Sequence, residues 1–210
     1  MTGITAKPTP YGRRFVSGHG FSRAEPGKGD SGFSRCAMAI PIRHSDPRGV
    51  AATSRTFFVT SSTWGKRPLL QSERAASLFI EVLYEYRTQR KFRLHEFVVM
   101  PDHFHMLITV DADLSIERAV QFIKGGFAHR AGKELGFRSP VWQKGFSEVR
   151  VLTSAQYSRI RDYIRRNPVP RHLVEDAADF PYSSTHAGFE LDLPPQGLKP
   201  GAEEQLIRHA

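Results

Sequence analysis

FVVMPDHFHMLITV, residues 97–110, is the stretch on which the fold turns. Both halves are apolar, and Pro101-Asp102 interrupts them, so the run reads as strand, tight turn, strand. His103 and His105 open the second strand with one residue between them. Side chains alternate across a strand, so the two imidazoles share a face and Phe104 points the other way. Two polar rings in so apolar a run are costly to bury without partners. Neutral imidazole nitrogens on one face are good ligands for a first-row or borderline metal.

Working outward, TFFVTSSTW is β-branched and aromatic, which predicts a strand over 56–63. Gly65 to Pro68 form a turn, and Ser72 caps a helix. Ala75, Leu78, Phe79, Val82, Leu83 and Tyr86 then recur at helical spacing to about residue 90. Downstream of the histidines, Ser115 precedes a second helical pattern in Ile116, Ala119, Val120 and Ile123. Gly125-Gly126 falls inside that pattern, either interrupting the helix or marking a close approach of another backbone, such as nucleic acid. A short strand is expected over 147–152, and Thr153 or Ser154 caps a last helix ending before Pro168. The first six elements follow the split βαβ pattern. The fold class is therefore α+β, a ferredoxin-like antiparallel sheet with helices on one face, plus a C-terminal helix.

That helix, SAQYSRIRDYIRRNP, carries an apolar stripe of Tyr157, Ile160 and Ile164. Arg159, Arg161, Asp162, Arg165 and Arg166 lie on its polar side. Tyr163 and Asn167 are four apart and share a flank at the edge of the stripe. Alone, the tyrosine is a boundary core residue and the asparagine a helix cap. Combined with His103 and His105, they supply the parts phosphodiester cleavage needs: a divalent cation site, a phenolic nucleophile and arginines to hold phosphates. Tyr157 lies in the stripe and is expected to pack. His95 and His129 stand isolated, and Trp142 and Phe146 are expected to pack under the sheet.

The balance of 30 Lys and Arg against 21 Asp and Glu gives a net charge of +9, which favours a polyanionic partner. Residues 1–53 are rich in Gly, Pro, Ser and Arg without periodicity and read as a disordered basic extension. Residues 176–210 read as an acidic, proline-containing tail. One cysteine, Cys36, excludes an intrachain disulfide, and no apolar run approaches a membrane span. A cytoplasmic protein without a membrane partner is expected, associated with the nucleoid when on DNA. A zinc structural site lacks its cysteines. A histidine-triad phosphohydrolase would need a third histidine where Leu107 stands.

MPDHFHMLI followed some sixty residues later by YIRRNPV resembles the single-tyrosine HUH transposases of the insertion-sequence 200 type. The likeness is greatest to the REP-associated tyrosine transposase branch. FFVTSSTWGKRPLL, FIKGGFAHRAGKELG and VWQKGF come in that branch's order, and the resemblance covers about 55–185. It implies a bacterial HUH endonuclease domain over 54–175 that cuts and rejoins single-stranded or hairpin DNA, as monomer or homodimer. By the same likeness His103, His105 and Asn167 hold Mg²⁺ or Mn²⁺, and Tyr163 is the nucleophile forming a 5′-phosphotyrosine. Arg159, Arg161, Arg165, Arg166 and Lys124 are the DNA-binding candidates. Asp102 stands where an asparagine is usual, and Ser147-Glu148 where a His-Glu pair is usual. A domesticated hairpin-binding protein without transposition activity is the alternative.

Overall fold

The computed structural model describes residues 54–200. The extension expected over 1–53 and the last ten residues of the tail lie outside the described residues. The chain runs β1 (Arg55–Ser62), α1 (Glu73–Thr88), β2 (Arg93–Met100), β3 (His103–Val110), α2 (Ile116–Glu134), β4 (Ser147–Val151) and α3 (Ser154–Arg166). The strands form one antiparallel sheet in the order β2-β3-β1-β4. This is the arrangement the split βαβ pattern requires.

Ser72 and Ser115 cap α1 and α2 by accepting hydrogen bonds from the backbone N–H groups of Ala75 and Arg118. These two helices cover one face of the sheet, burying Phe57, Val59, Phe97, Phe104, Met106 and Ile108 against Phe79, Ile123 and Phe127. Trp142 closes this core, edge-on to Phe104 at 5.5 Å, as its expected packing role requires. Gly125-Gly126 does not interrupt α2. A Cβ at Gly126 would lie 2.7 Å from the Tyr86 ring, so the glycine lets α1 approach α2. The close neighbour there is the protein's own helix.

The other face of the sheet receives α3, which packs on β2 and β3. Tyr157 and Ile164 are buried with Val98, Met100, Leu107 and Val151, and Ile160 packs at the rim. Burial of Ile164 alone stabilises this docking by about 1.5–3 kcal/mol.

The acidic segment after residue 175 is built into the fold. Val99 N–H donates to Tyr182 O and Ser184 N–H to Phe97 O, which saturates part of the β2 edge. Asp192 accepts from Leu94 N–H at 2.7 Å and pairs with both nitrogens of the Arg87 fork at 2.9 and 3.0 Å. The chain then crosses to the far side, where Lys199 bonds the backbone of Leu152 and Ser154.

Candidate active site

The Pro101-Asp102 turn is pinned from two sides. Thr63 N–H donates to Asp102 O, its hydroxyl sits between Arg67 O at 2.6 Å and Asp102 O at 3.0 Å, and Leu70 N–H donates to Pro101 O. The turn thereby fixes where β3 begins. His103 and His105 share one face with their ring centroids 4.8 Å apart, while Phe104 lies 4.7 Å from Phe79 in the core. Each imidazole is oriented through Nδ1. Asp102 Oδ1 lies 2.6 Å from His103 Nδ1, and Thr60 Oγ1 lies 2.7 Å from His105 Nδ1. A carboxylate only accepts, so His103 carries its proton on Nδ1 and presents the Nε2 lone pair. The Thr60 hydroxyl, which can donate or accept, holds the His105 ring by Nδ1 and leaves Nε2 clear of that contact.

Burial lowers the pKa of both histidines, His105 well below its ordinary value. For His105, the neighbouring His103 and then Arg171 add to the shift. For His103, Asp102 opposes it and Arg171 and Lys66 reinforce it. Both rings are therefore neutral near pH 7, the state in which imidazole binds a metal.

Thr153 caps α3 by accepting from Gln156 N–H. The helix carries Tyr163 to the histidines: its ring is 5.4 Å from His105 and edge-on to Phe58 at 5.9 Å. Tyr163 is 41% exposed, whereas Tyr157, six residues earlier, is buried with its ring 6.0 Å from His95. Asn167 ends the helix and is 7% exposed. Its Oδ1 is buried and accepts no hydrogen bond. An orphaned carboxamide oxygen one turn beyond Tyr163 fits a hard divalent cation, which prefers oxygen donors. Among the described residues no three His, Cys, Asp or Glu side chains converge on a common point.

The arginines of α3 divide between its two flanks. Arg165 Nε donates to Glu96 Oε1 at 2.8 Å, and Arg161 also faces that carboxylate. Glu96 is fully buried because a bulge at Leu94–Glu96 turns both His95 and Glu96 toward α3. His95 is thereby a structural residue, bonded through Nε2 to Thr109 Oγ1 at 2.7 Å. Arg159 and Arg166 lie on the flank of Tyr163 and form no ion pair with a described residue. Lys124 is remote from this flank. Its ammonium donates to the carbonyls of Gln143 and Gly145, and burial brings its pKa down to about 8. It borders a separate cavity of about 410 Å³ between α2 and the 139–146 loop, away from the histidines.

Sequence reasoning did not single out Thr60, Phe58, Glu96, Lys66 or Arg171. Thr60 had a signal, since the strand pattern puts it on the same face as Phe58. The others depend on strand register, the bulge and the turn after α3, none of which has a local signature.

Residues 57–167 match the family described as "Transposase IS200 like". The chain belongs to the IS200-like transposase family. The transposase is 26% identical over 148 residues to the REP-associated tyrosine transposase of Escherichia coli K12, covering 67% of this chain and 87% of that one. A protein of Haemophilus influenzae Rd with the same designation is 26% identical over 145 residues, covering 61% and 82%. The fold matches a solved REP-associated tyrosine transposase bound to a REP hairpin, with a TM-score of 0.53 at 24% identity over 70% of this chain and 92% of that one. DNA cleavage is the activity that membership of this family carries. Among the described residues no helix is long and apolar enough to cross a membrane.

Proposed function

We propose that this transposase cuts and rejoins single-stranded DNA beside a hairpin, with Tyr163 as the nucleophile. The observation that carries the reading is the placement of the Tyr163 ring 5.4 Å from His105, on the side of α3 that faces the histidines. The relative solved with a REP hairpin supports a hairpin-bearing substrate.

The Tyr163 oxygen forms a bond to phosphorus, and the bond from phosphorus to the 3′-oxygen breaks. The products are a 5′-phosphotyrosine and a free 3′-hydroxyl. Tyr163 gives up its proton and the leaving oxygen gains one, both within reach of solvent at this half-open position. Rejoining runs the same step backwards from a 3′-hydroxyl. His103, His105 and Asn167 would hold Mg²⁺ or Mn²⁺. Such an ion would polarise the phosphate and offset its developing charge. Asp102 and Thr60 hold the two imidazoles by Nδ1, which would leave Nε2 of each for the ion. Arg159 and Arg166 would hold the strand by its phosphates.

The test is a cleavage assay on labelled hairpin DNA with single-stranded flanks, in Mn²⁺ or EDTA. A covalent protein–DNA adduct that forms in Mn²⁺ and is absent from Tyr163→Phe is expected. Tight hairpin binding without an adduct, across a pool of hairpins, would replace this reading with hairpin binding alone.

A further inference from the structure

We propose that the uncovered face of β1 and β4 beside Tyr163 is a shelf on which unpaired bases of the substrate strand stack. The inference rests on the proposed function and adds the path that the strand takes. Direct partners in an antiparallel pair share a face, so the register assigns this surface residue by residue. Phe58 pairs with Val149, and Thr60 with Ser147. Phe58 lies on the face of the histidines, stacked on His105 with centroids 5.5 Å apart and planes 25° apart. Val149 and Ser147 therefore lie on that face too.

α3 packs chiefly on β2 and β3 and reaches β1 and β4 through Tyr163 on Phe58 and through the buried Val151, which leaves the Ser147–Val149 end of this surface exposed. Val149 is 44% exposed, an apolar side chain next to a nucleophile that is itself 41% exposed. The opposite flank of α3 is closed. There Arg165 is engaged by the buried Glu96, and residues 182–192 line the β2 edge. A phosphodiester reacting at Tyr163 must place its neighbouring nucleotides within a few ångströms, and the shelf is the open surface at that distance. Its chemistry suits bases: the half-buried Phe58 ring, an exposed valine, the Ser147 hydroxyl, and Arg159 and Arg166 on the facing flank for the phosphates. Base-on-aromatic stacking tolerates any sequence.

The test uses fluorescein-labelled dodecathymidylate and a blunt duplex of the same length, with the full chain, read by fluorescence anisotropy. Val149→Glu puts a charge on an exposed position and should not disturb folding. It is expected to weaken oligothymidylate binding by about tenfold while leaving duplex binding unchanged, because the carboxylate keeps a base off the surface and so off the Phe58 ring. Arg159→Gln with Arg166→Gln is expected to reduce the salt slope for the single strand by about 1.4, whereas Arg161→Gln on the closed flank leaves it as it was. Wild-type affinity in Val149→Glu, an Arg161→Gln effect matching the double variant, or no oligothymidylate binding by the wild type would each overturn the shelf. These assays need neither metal nor cleavage. Shelf-dependent binding without any Tyr163 adduct would sink the proposed function and leave the shelf standing. An adduct with wild-type binding in Val149→Glu would do the reverse.

Discussion

Arg165 holds the helix of the nucleophile to the sheet, and its removal should be costly in a way that can be calculated. Glu96 is fully buried, and Arg165 Nε sits 2.8 and 3.3 Å from its two oxygens. Arg165→Met leaves that carboxylate without its partner. An uncompensated buried charge costs about 3–5 kcal/mol. The Arg165 side chain is 42% exposed, so water reaches the outer end of the pair and about 2–3 kcal/mol is the better expectation. Glu96→Gln with Arg165→Met removes charge and partner together and should recover most of the loss. Urea denaturation of the four proteins gives the coupling directly. The pH dependence has a definite sign. Burial raises the Glu96 pKa and Arg165 opposes it, so the folded state keeps a proton that the unfolded chain has released. This group therefore costs stability progressively as pH rises from the ordinary glutamate range to its raised folded value. Arg165→Met should extend that decline to higher pH. The adduct-forming rate should fall further than hairpin affinity, since a helix displaced by an ångström spoils attack geometry. A stability within about 0.5 kcal/mol of wild type for Arg165→Met would refute the reasoning, because surface substitutions alone reach that size.

Three further outcomes follow from the packing. Gly126→Ala should destabilise by about 1–3 kcal/mol, because its Cβ meets Tyr86 at 2.7 Å, and Gly125→Ala should stabilise by about 1 kcal/mol, having nothing within 4 Å; thermal unfolding of both checks the contrast. The buried Lys124 ammonium is disfavoured below about pH 8, so stability should rise with pH from there to the ordinary lysine range, and Lys124→Met should lose that rise in melting temperature. Thr60→Val should weaken Mn²⁺ binding by about 10–100-fold, read by calorimetry without DNA, because His105 loses the partner of its Nδ1.

Much of this was legible in the sequence because its signals are local. The His-x-His alternation fixed which ring points where, the Pro-Asp break fixed where β3 starts, and the helical spacing separated Tyr157 from Tyr163. The caps at Ser72, Ser115 and Thr153 also announced themselves. What was not legible depends on tertiary register. The four arginines of α3 look alike on a wheel. The bulge that buries Glu96 splits them into an engaged flank and an open one. Nothing in the sequence around Lys124 announces that its ammonium is held by the carbonyls of Gln143 and Gly145. The segment after residue 175 looks like an acidic tail, yet its backbone completes the β2 edge. Its sparse apolar residues, Phe180, Tyr182 and Phe189, act through aromatic contacts that have no period to read.

The central claim is that Tyr163 takes the phosphate. The direct measurement is peptide mass mapping of the covalent product formed with single-stranded hairpin DNA in Mn²⁺. The account predicts a nucleotide linked through its 5′-phosphate to the peptide containing Tyr163, with a free 3′-hydroxyl on the other fragment. A nucleotide on Tyr157 or any other residue, or a 3′-phosphate linkage, would contradict it.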